Sequence, residues 1–208
     1  RKIHDRPIPL LGGVGIYAAF LVAVILAISL GVLPAGSIVT KHLIGLLAGG
    51  LWLVIGGILD DRYDLSPRKQ IIWPILAAIT VIASGIGIES ITNPAGGQWF
   101  LDQVDITIFW FGGLPYKITL LTDLFTLLWL LGVIYATKFF DGLDGLVSGI
   151  TVIGSLVVFL TSLSPKIGQP ETAFIALLVA ACFAGFLVFN FHPASIFLGE
   201  SGSTLAGF

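Results

Sequence analysis

Six long apolar segments, separated by polar loops, set the pattern of this chain. They lie near 9–33, 42–59, 71–88, 118–137, 145–163 and 172–190, and none of them contains Lys or Arg. About 20 apolar residues suffice for an α-helix to cross the roughly 30 Å of bilayer hydrocarbon. No segment shows the strict alternation of apolar and polar residues that is typical of a membrane β-strand. The pattern predicts an all-α polytopic membrane protein with about six transmembrane helices.

Composition supports the same class. Of the 208 residues, 56% are hydrophobic and 11% are charged, far from the composition of a soluble domain. The net charge of −2 is too small to indicate a nucleic-acid partner, and we expect none. The sequence predicts a single transmembrane domain over 1–208. Within it, the loop 89–117 combines turn residues with an aromatic-rich segment and predicts a short outer β-hairpin.

Basic residues divide unequally between the loops on the two sides of the predicted bundle. Six helices place 1–8, 60–70, 138–144 and 191–208 on one side, and 34–41, 89–117 and 164–171 on the other. The first side carries seven Lys and Arg residues: Arg1, Lys2, Arg6, Arg62, Arg68, Lys69 and Lys138. The second carries Lys41, Lys117 and Lys166. By the positive-inside rule, the first side is predicted to be cytoplasmic.

Acidic residues also gather on that predicted cytoplasmic side, in three separate loops. Asp60 and Asp61 lie in "GGILDDRYDLSPRK", Asp141 and Asp144 lie in "KFFDGLDGLVSG", and Glu200 lies in "IFLGESGS". Each loop alone could be an ordinary helix cap, because Asp before a helix and Gly after one are common. Three such loops returning to one membrane surface favour a shared acidic site.

The "DGLDG" loop combines carboxylates with glycines. Asp141 and Asp144 are three residues apart, so on a helical turn they face the same way. Gly142 lacks a side chain where a ligand could approach the backbone closely. Lys138 precedes the motif and could simply pair with Asp141.

The segment "FNFHPASIFLGESGS" offers polar groups after the sixth apolar run. Asn190 supplies an amide, Phe197 could stack on a base, and the Gly- and Ser-rich stretch exposes backbone N–H groups of the kind that bind phosphate. The alternative for Phe197 is an interfacial aromatic residue. His192 is more typical of a polar interface residue than of a ligand.

The four motifs "RKIHDRPIPLLGG", "GGILDDRYDLSPRKQ", "FFDGLDGLVSG" and "FNFHPASIFLGESGS", taken in this order, resemble the polyprenyl-phosphate N-acetylhexosamine-1-phosphate transferases. The resemblance runs nearly end to end. It implies a bacterial inner or plasma membrane enzyme with its active site on the cytoplasmic face. Such an enzyme transfers a sugar phosphate from a UDP-N-acetylhexosamine to undecaprenyl or another polyprenyl phosphate, releases UMP and initiates cell-wall or surface-polysaccharide synthesis.

The opening motif is more similar to the branch that uses UDP-N-acetylglucosamine. Phospho-N-acetylmuramoyl-pentapeptide transfer in peptidoglycan synthesis is the alternative within the family. The resemblance also implies that 1–208 lacks an N-terminal helix and C-terminal helices of the full family fold. A homodimer remains open.

The resemblance implies roles for individual residues. The catalytic carboxylates fall on Asp60, Asp61, Asp141 and Asp144, and the substrate-binding positions on Asn190, Phe197, Gly142 and Lys138. Mg²⁺, with Mn²⁺ as a substitute, is assigned to Glu200 with Asp60 or Asp61.

Three positions depart from the family pattern. Glu200 replaces the metal-binding Asp and reaches one methylene further. Lys138 replaces an Asn, and Tyr135 replaces another Asn upstream. A lysine at 138 could hold a diphosphate oxygen or compete with Mg²⁺ for Asp141.

The implied reaction is phosphoryl transfer, which needs neutralisation of a diphosphate and alignment of the nucleophile. Direct attack by the lipid phosphate and a covalent phospho-aspartyl intermediate both remain open.

Two rival functions belong to other classes of membrane protein. "DDRYD" also fits the DDxxD pattern of membrane prenyltransferases, although "DGLDG" is a poor second copy of it. A non-catalytic transporter or scaffold should carry ionisable residues near the middle of the membrane. Asp123 is the one candidate, and it lies close to the outer end of its segment.

Overall fold

A computed structural model describes residues 9–32, 40–102, 105–111 and 114–208 of the protein. Helices dominate it. The elements in chain order are α1 (Gly12–Ser29), α2 (Thr40–Tyr63), α3 (Pro67–Gln70), α4 (Ile72–Ala83), β1 (Ser90–Thr92), β2 (Gln98–Phe100), β3 (Asp105–Phe111), β4 (Leu114–Thr119), α5 (Leu120–Phe140), α6 (Leu146–Ser162), α7 (Pro170–Asn190) and α8 (Gly199–Gly207). The opening basic residues, Arg1 to Arg6, lie outside the described residues.

The helical membrane fold is confirmed, but the prediction of six spans is not. Of the described helices, α1, α2, α5 and α7 are long and apolar enough to cross a bilayer. The other two predicted spans correspond to α4, with 12 residues, and α6, with 17 residues. At 1.5 Å per residue they measure only about 18 and 25 Å.

The apolar run 71–88 gives a short helix because glycine interrupts it. The N–H of Ser84 still donates to the carbonyl of Thr80, and Gly85 then adopts φ +89°. This left-handed conformation ends α4, as is common at helix C-termini. Hydropathy alone gives no sign of the break, because the residues on both sides are apolar.

Two antiparallel hairpins, rather than one, fill most of the predicted outer loop. β1 pairs with β2 across a turn in which the N–H of Asn93 donates to the carbonyl of Gly97. β3 pairs with β4 from Asp105 opposite Thr119 to Phe111 opposite Leu114. The prediction therefore identified the β-structure but missed the first hairpin.

The short helix α8 lies inside the bundle, packed against α1, α2 and α5. Ser201 and Ser203 of α8 are buried, with 0% and 1% of their surface exposed. Glycines allow this close packing. A Cβ on Gly57 of α2 would lie 2.2 Å from the Cα of Ser201, and one on Gly13 of α1 would lie 2.2 Å from the nitrogen of Gly202. α8 is thereby held at the ends of the longer helices.

The C-terminal ends of α2, α5 and α7 and the N-terminal ends of α6 and α8 meet at one end of the bundle. Hydrogen bonds from backbone N–H groups to side-chain oxygens join these ends. The N–H of Glu200 in α8 donates to Asp61 in α2, and the N–H of Gly145, before α6, donates to Asn190 in α7. The three acidic loops therefore lie together.

Candidate active site

An open cavity of about 580 Å³ lies at this end of the bundle. Residues from all three acidic loops line it. Its polar and charged lining is Asp61, Lys138, Asp141, Asp144, Asn190, His192, Glu200 and Ser203, and its glycine and apolar lining is Leu10, Gly142, Leu143, Phe197 and Gly199. Eight of the nine predicted site residues border this cavity, and Asp60 does not.

Asp61 binds the N-terminus of α8. Its two carboxylate oxygens accept from the N–H of Glu200 at 3.1 and 3.2 Å. The first N–H groups of a helix have no partner within the helix, and the helix dipole favours a negative charge there. Gly199 allows the approach: it adopts φ +69°, and a Cβ on it would lie 2.7 Å from Oδ2 of Asp61. The capping contact thus fixes Asp61 beside Glu200.

Glu200 also pairs with a cation. Its carboxylate forms an ion pair with the ammonium of Lys138, and each side chain is 21% exposed. The same ammonium donates to Oε1 of Gln70 at 3.1 Å and lies 5.8 Å from the centroid of the Tyr135 ring. Lys138 is therefore held between Glu200 of α8 and Gln70 of α3.

Asp60 faces away from the large cavity, although it is adjacent to Asp61 in the sequence. Its oxygens accept from the amide of Gln70 at 2.8 and 2.9 Å, and Oδ1 also accepts from the N–H of Leu65 at 2.9 Å. It borders a separate cavity of about 20 Å³ that also touches Gln70 and Trp73. Successive residues of a helix point about 100° apart, which separates the two carboxylates. Asp60 thus ties the loop after α2 back onto its helix.

The "DGLDG" motif forms the turn between α5 and α6. Asp141 caps the C-terminus of α5, and Gly145, at φ +73°, precedes α6. Desolvation by the surrounding protein raises the pKa of Asp141 to about 6, and the negative charges of Glu200 and Asp61 add to the rise. A Cβ on Gly142 would meet no atom within 4 Å. Space for a ligand therefore lies over this turn.

Asp144 contacts the segment that follows α7. Its Oδ2 lies 3.1 Å from Nδ1 of His192 and accepts from the N–H of Ala194 at 3.1 Å. The side chain of His192 is 78% exposed, whereas that of Asp144 is 13% exposed. Asp144 thereby holds His192 at the edge of the cavity.

Asn190 uses both ends of its amide to join two loops. Its Oδ1 accepts from the N–H of Gly145 at 3.2 Å and from the hydroxyl of Ser148 at 2.9 Å, and its Nδ2 donates to the carbonyl of Ile196 at 3.0 Å. The residue is 3% exposed. These contacts fix the "DGLDG" turn against the segment before α8, and direct binding of substrate by Asn190 stays a prediction.

Phe197 is half-buried at the cavity edge, directly before α8. Its N–H donates to the carbonyl of Pro9 at 3.0 Å, and its carbonyl accepts from the N–H of Gly12 at 3.1 Å. The start of α1 is thereby joined to the site. Stacking of this ring on a base stays a prediction.

The acidic residues suit a hard metal ion by their chemistry. Among the described residues, no three His, Cys, Asp or Glu side chains form a ready-made metal cage. Mg²⁺ does not need one, since it is usually held by one or two carboxylates together with substrate phosphates and water. Asp61, Asp141 and Glu200 offer such oxygens at one cavity. The donor set therefore fits Mg²⁺, and Asp60 is the predicted ligand that lies elsewhere.

Sequence reasoning missed Gln70 and gave His192 no role. Gln70 bridges Asp60 and Lys138, and its position just after a short polar loop was the available signal. His192 is two residues after the end of α7, close to the predicted Asn190. Neither contact follows from residue spacing, because each joins parts of the chain that are distant in sequence or separated by a turn.

Known proteins resemble this chain over its whole length. The sequence is 31% identical over 208 residues to a probable undecaprenyl-phosphate N-acetylglucosaminyl 1-phosphate transferase of Bacillus subtilis (strain 168), covering 100% of this chain and 51% of that protein. It is 32% identical to a decaprenyl-phosphate N-acetylglucosaminephosphotransferase of Mycolicibacterium smegmatis (strain ATCC 700084 / mc(2)155), with 100% and 49% covered. An undecaprenyl-phosphate alpha-N-acetylglucosaminyl 1-phosphate transferase of Thermotoga maritima (strain ATCC 43589 / DSM 3109 / JCM 10099 / NBRC 100826 / MSB8) is 30% identical, with 100% and 51% covered.

The chain thus spans about half the length of these curated relatives. The sequence profile of Glycosyl transferase family 4 matches residues 43–208, which include all three acidic loops. The family resemblance is therefore confirmed, and the chain belongs to glycosyl transferase family 4.

Proposed function

We propose that this protein transfers N-acetylglucosamine 1-phosphate from UDP-N-acetylglucosamine to undecaprenyl or a similar polyprenyl phosphate, with release of UMP. The observation that carries the proposal is the joining of three acidic loops around one cavity at the end of a helical membrane bundle. A site at that position can receive a water-soluble nucleotide sugar and a phosphate that projects from the membrane. The names of the relatives support this choice of sugar and lipid over the muramoyl-pentapeptide alternative.

Mg²⁺ is proposed as the cofactor, held by Glu200 with Asp61 or Asp141, and Mn²⁺ is expected to substitute for it. When bound, the ion would neutralise diphosphate charge and favour departure of UMP. Asp60 is left out of this ligand set because Gln70 and Leu65 occupy its oxygens. Its proposed role is to hold the loop that follows α2, and with it the last turn of α2 that carries Asp61.

The remaining residues orient the substrates. Asp144 and His192 contact each other at the cavity, which Phe197 also lines, and these three residues are proposed to receive the nucleotide. The open space above Gly142 leaves room for the diphosphate. A lipid phosphate has a second pKa of about 6 and is largely dianionic at neutral pH, so direct attack requires no strong base. This favours direct attack over a covalent aspartyl intermediate.

The transporter alternative receives less support from the described residues. Asp123 accepts a hydrogen bond from the N–H of Thr119 at 3.1 Å, within the first turn of α5. Such a contact satisfies a free N–H at a helix start. Asp123 therefore has a structural role that does not require a transport pathway.

The test is UMP release by the purified protein in detergent, with UDP-N-acetylglucosamine and undecaprenyl phosphate. We expect release with Mg²⁺ and none with EDTA. UDP-N-acetylmuramoyl-pentapeptide serves as the competing donor and is expected to give no release. Release with the pentapeptide donor alone would reassign the sugar. No UMP release from either donor in the presence of Mg²⁺ would contradict the proposed function of this chain.

A further inference from the structure

Lys138 is paired with the carboxylate that is proposed to bind the metal. The proposed ligand Glu200 already has a cationic partner in this structure, the ammonium of Lys138. That ammonium lies between the two cavities, since both Lys138 and Glu200 border each of them. A divalent ion that binds Glu200 from the large cavity would meet this positive charge.

A second contact gives the ammonium an alternative position. Oε1 of Gln70 accepts from Nζ of Lys138 at 3.1 Å, while the amide nitrogen of Gln70 donates to Asp60. Gln70 is thereby fixed with its carbonyl oxygen toward the lysine. Lys138 can leave Glu200 and still keep a hydrogen-bond acceptor on the side of the small cavity.

We infer that Lys138 is a tethered cation that holds Glu200 in the metal-free protein and is displaced when a divalent ion binds, so that this lysine sets the affinity of the site for metal. The inference rests on the proposed function, because it takes Glu200 as a metal ligand. The physical basis is competition: two cations cannot both contact one carboxylate without repelling each other. The ion pair also keeps the carboxylate in place until the metal arrives.

The experiment measures Mn²⁺ binding to the purified protein without substrate, from the electron paramagnetic resonance signal of free Mn²⁺. Lys138→Gln is expected to bind Mn²⁺ at least about fivefold more tightly than the parent. Even in bulk water, the repulsion between two unit charges about 4 Å apart changes a binding constant by about that factor. Lys138→Met is a second neutral variant, and Lys138→Arg should stay close to the parent. Only variants that elute as a single species from size-exclusion chromatography in detergent are taken as folded and compared.

Lys69→Gln is the matched control. It removes the same charge from an exposed residue at the same end of the bundle. Its Mn²⁺ affinity should equal that of the parent, which separates a local competition from a general change in net charge. In a Glu200→Gln background, Lys138→Gln should no longer tighten binding, because the carboxylate for which the two cations compete is absent.

The exchange of Lys138 for a divalent ion at Glu200 predicts tighter binding in the neutral variants. Parent-like or weaker Mn²⁺ binding in both neutral variants would overturn this exchange, as would the absence of Mn²⁺ binding in every variant. UMP release distinguishes this failure from that of the proposed function. Normal release by the parent with unchanged Mn²⁺ affinity in Lys138→Gln overturns the exchange alone. Tighter Mn²⁺ binding in the neutral variants without UMP release from the parent supports the exchange and contradicts the transferase assignment.

Discussion

The two adjacent acids at the end of α2, Asp60 and Asp61, have different surroundings and therefore different proposed roles. Asp61 caps α8 and borders the large cavity, whereas Asp60 is bound by Gln70 and Leu65 beside a cavity too small for a substrate. Charge near the reacting phosphates acts strongly only where the protein fixes its position. Loss of the Asp61 charge should therefore affect chemistry more than folding.

The variant Asp61→Asn tests this assignment. An amide oxygen can still accept from the N–H of Glu200, so α8 keeps its cap, but the negative charge is lost. We expect the rate of UMP release to fall by about 10³-fold, the order found when an electrostatic group is removed from an active site. Thermal unfolding in detergent should change little.

Asp64→Asn is the matched control for this change. Asp64 is exposed, lies three residues further along the chain just after α2 and adopts φ +48°, a conformation that Asn tolerates well. It should retain the parental rate. Equal rates in Asp61→Asn and the parent would show that this charge takes no part in the reaction.

The sequence could predict which residues approach the site, but not how each uses its polar atoms. Charge type and motif order were sufficient to locate Asp61, Asp141, Asp144 and Glu200. The buried state of Asn190 was not predictable, because it depends on Ser148 and Ile196, which sequence spacing does not connect to it. The pairing of Lys138 with Glu200 rather than with Asp141 likewise depends on where α8 packs.

At the scale of the elements, α8 positions the site, and the contact between α2 and α8 positions α8. Gly57 lies so close to α8 that a Cβ would fall 2.2 Å from the Cα of Ser201. Backbone atoms cannot move aside as a flexible side chain can. Any side chain at this position must push the two helices apart.

Gly57→Ala should therefore displace α8 from α2 and separate Glu200 from Asp61. We expect UMP release to fall at least about tenfold and the free energy of unfolding to drop by about 1–3 kcal/mol, the usual cost of overpacking. Both are measurable, by the activity assay and by thermal or denaturant unfolding in detergent.

Gly132→Ala provides the control, since a Cβ at Gly132 of α5 would meet no atom within 4 Å. Alanine has the higher helix propensity, so this variant should be as stable as the parent or more stable. Parental activity and stability in Gly57→Ala would mean that α2 and α8 are not held at this distance.

Element lengths show why hydropathy alone overestimated the spans. The runs 71–88 and 145–163 have the composition of transmembrane segments. α4 nevertheless ends at Ala83, just before Gly85 adopts φ +89°, and α6 (Leu146–Ser162) fills nearly all of its run but has only 17 residues. An apolar loop and an apolar helix give the same hydropathy. The small β1–β2 hairpin escaped prediction for a related reason: three-residue strands are too short for alternation to be visible.

At the scale of the whole molecule, the proposed reaction requires the acidic cavity to face the compartment that contains the nucleotide sugar. Four basic residues of the described chain lie at the same end of the bundle as the cavity: Arg62, Arg68, Lys69 and Lys138. Three basic residues lie toward the opposite end: Lys41 in the first turn of α2, Lys117 in β4 before α5, and Lys166 at the turn between α6 and α7. The positive-inside rule therefore predicts a cytoplasmic cavity, in agreement with the proposed use of UDP-N-acetylglucosamine.

Cysteine labelling in whole cells measures this orientation. In a Cys182→Ser background, a single cysteine is introduced by Arg68→Cys or by Lys166→Cys, both at exposed positions. A membrane-impermeant maleimide should label the second variant in intact cells and the first only after permeabilisation. Ala95→Cys, in the exposed turn between β1 and β2, should behave like Lys166→Cys. The reverse pattern would place the carboxylates and Lys138 on the outer surface, where a nucleotide sugar made in the cytoplasm could not reach them, and would contradict the transferase function at the level of topology.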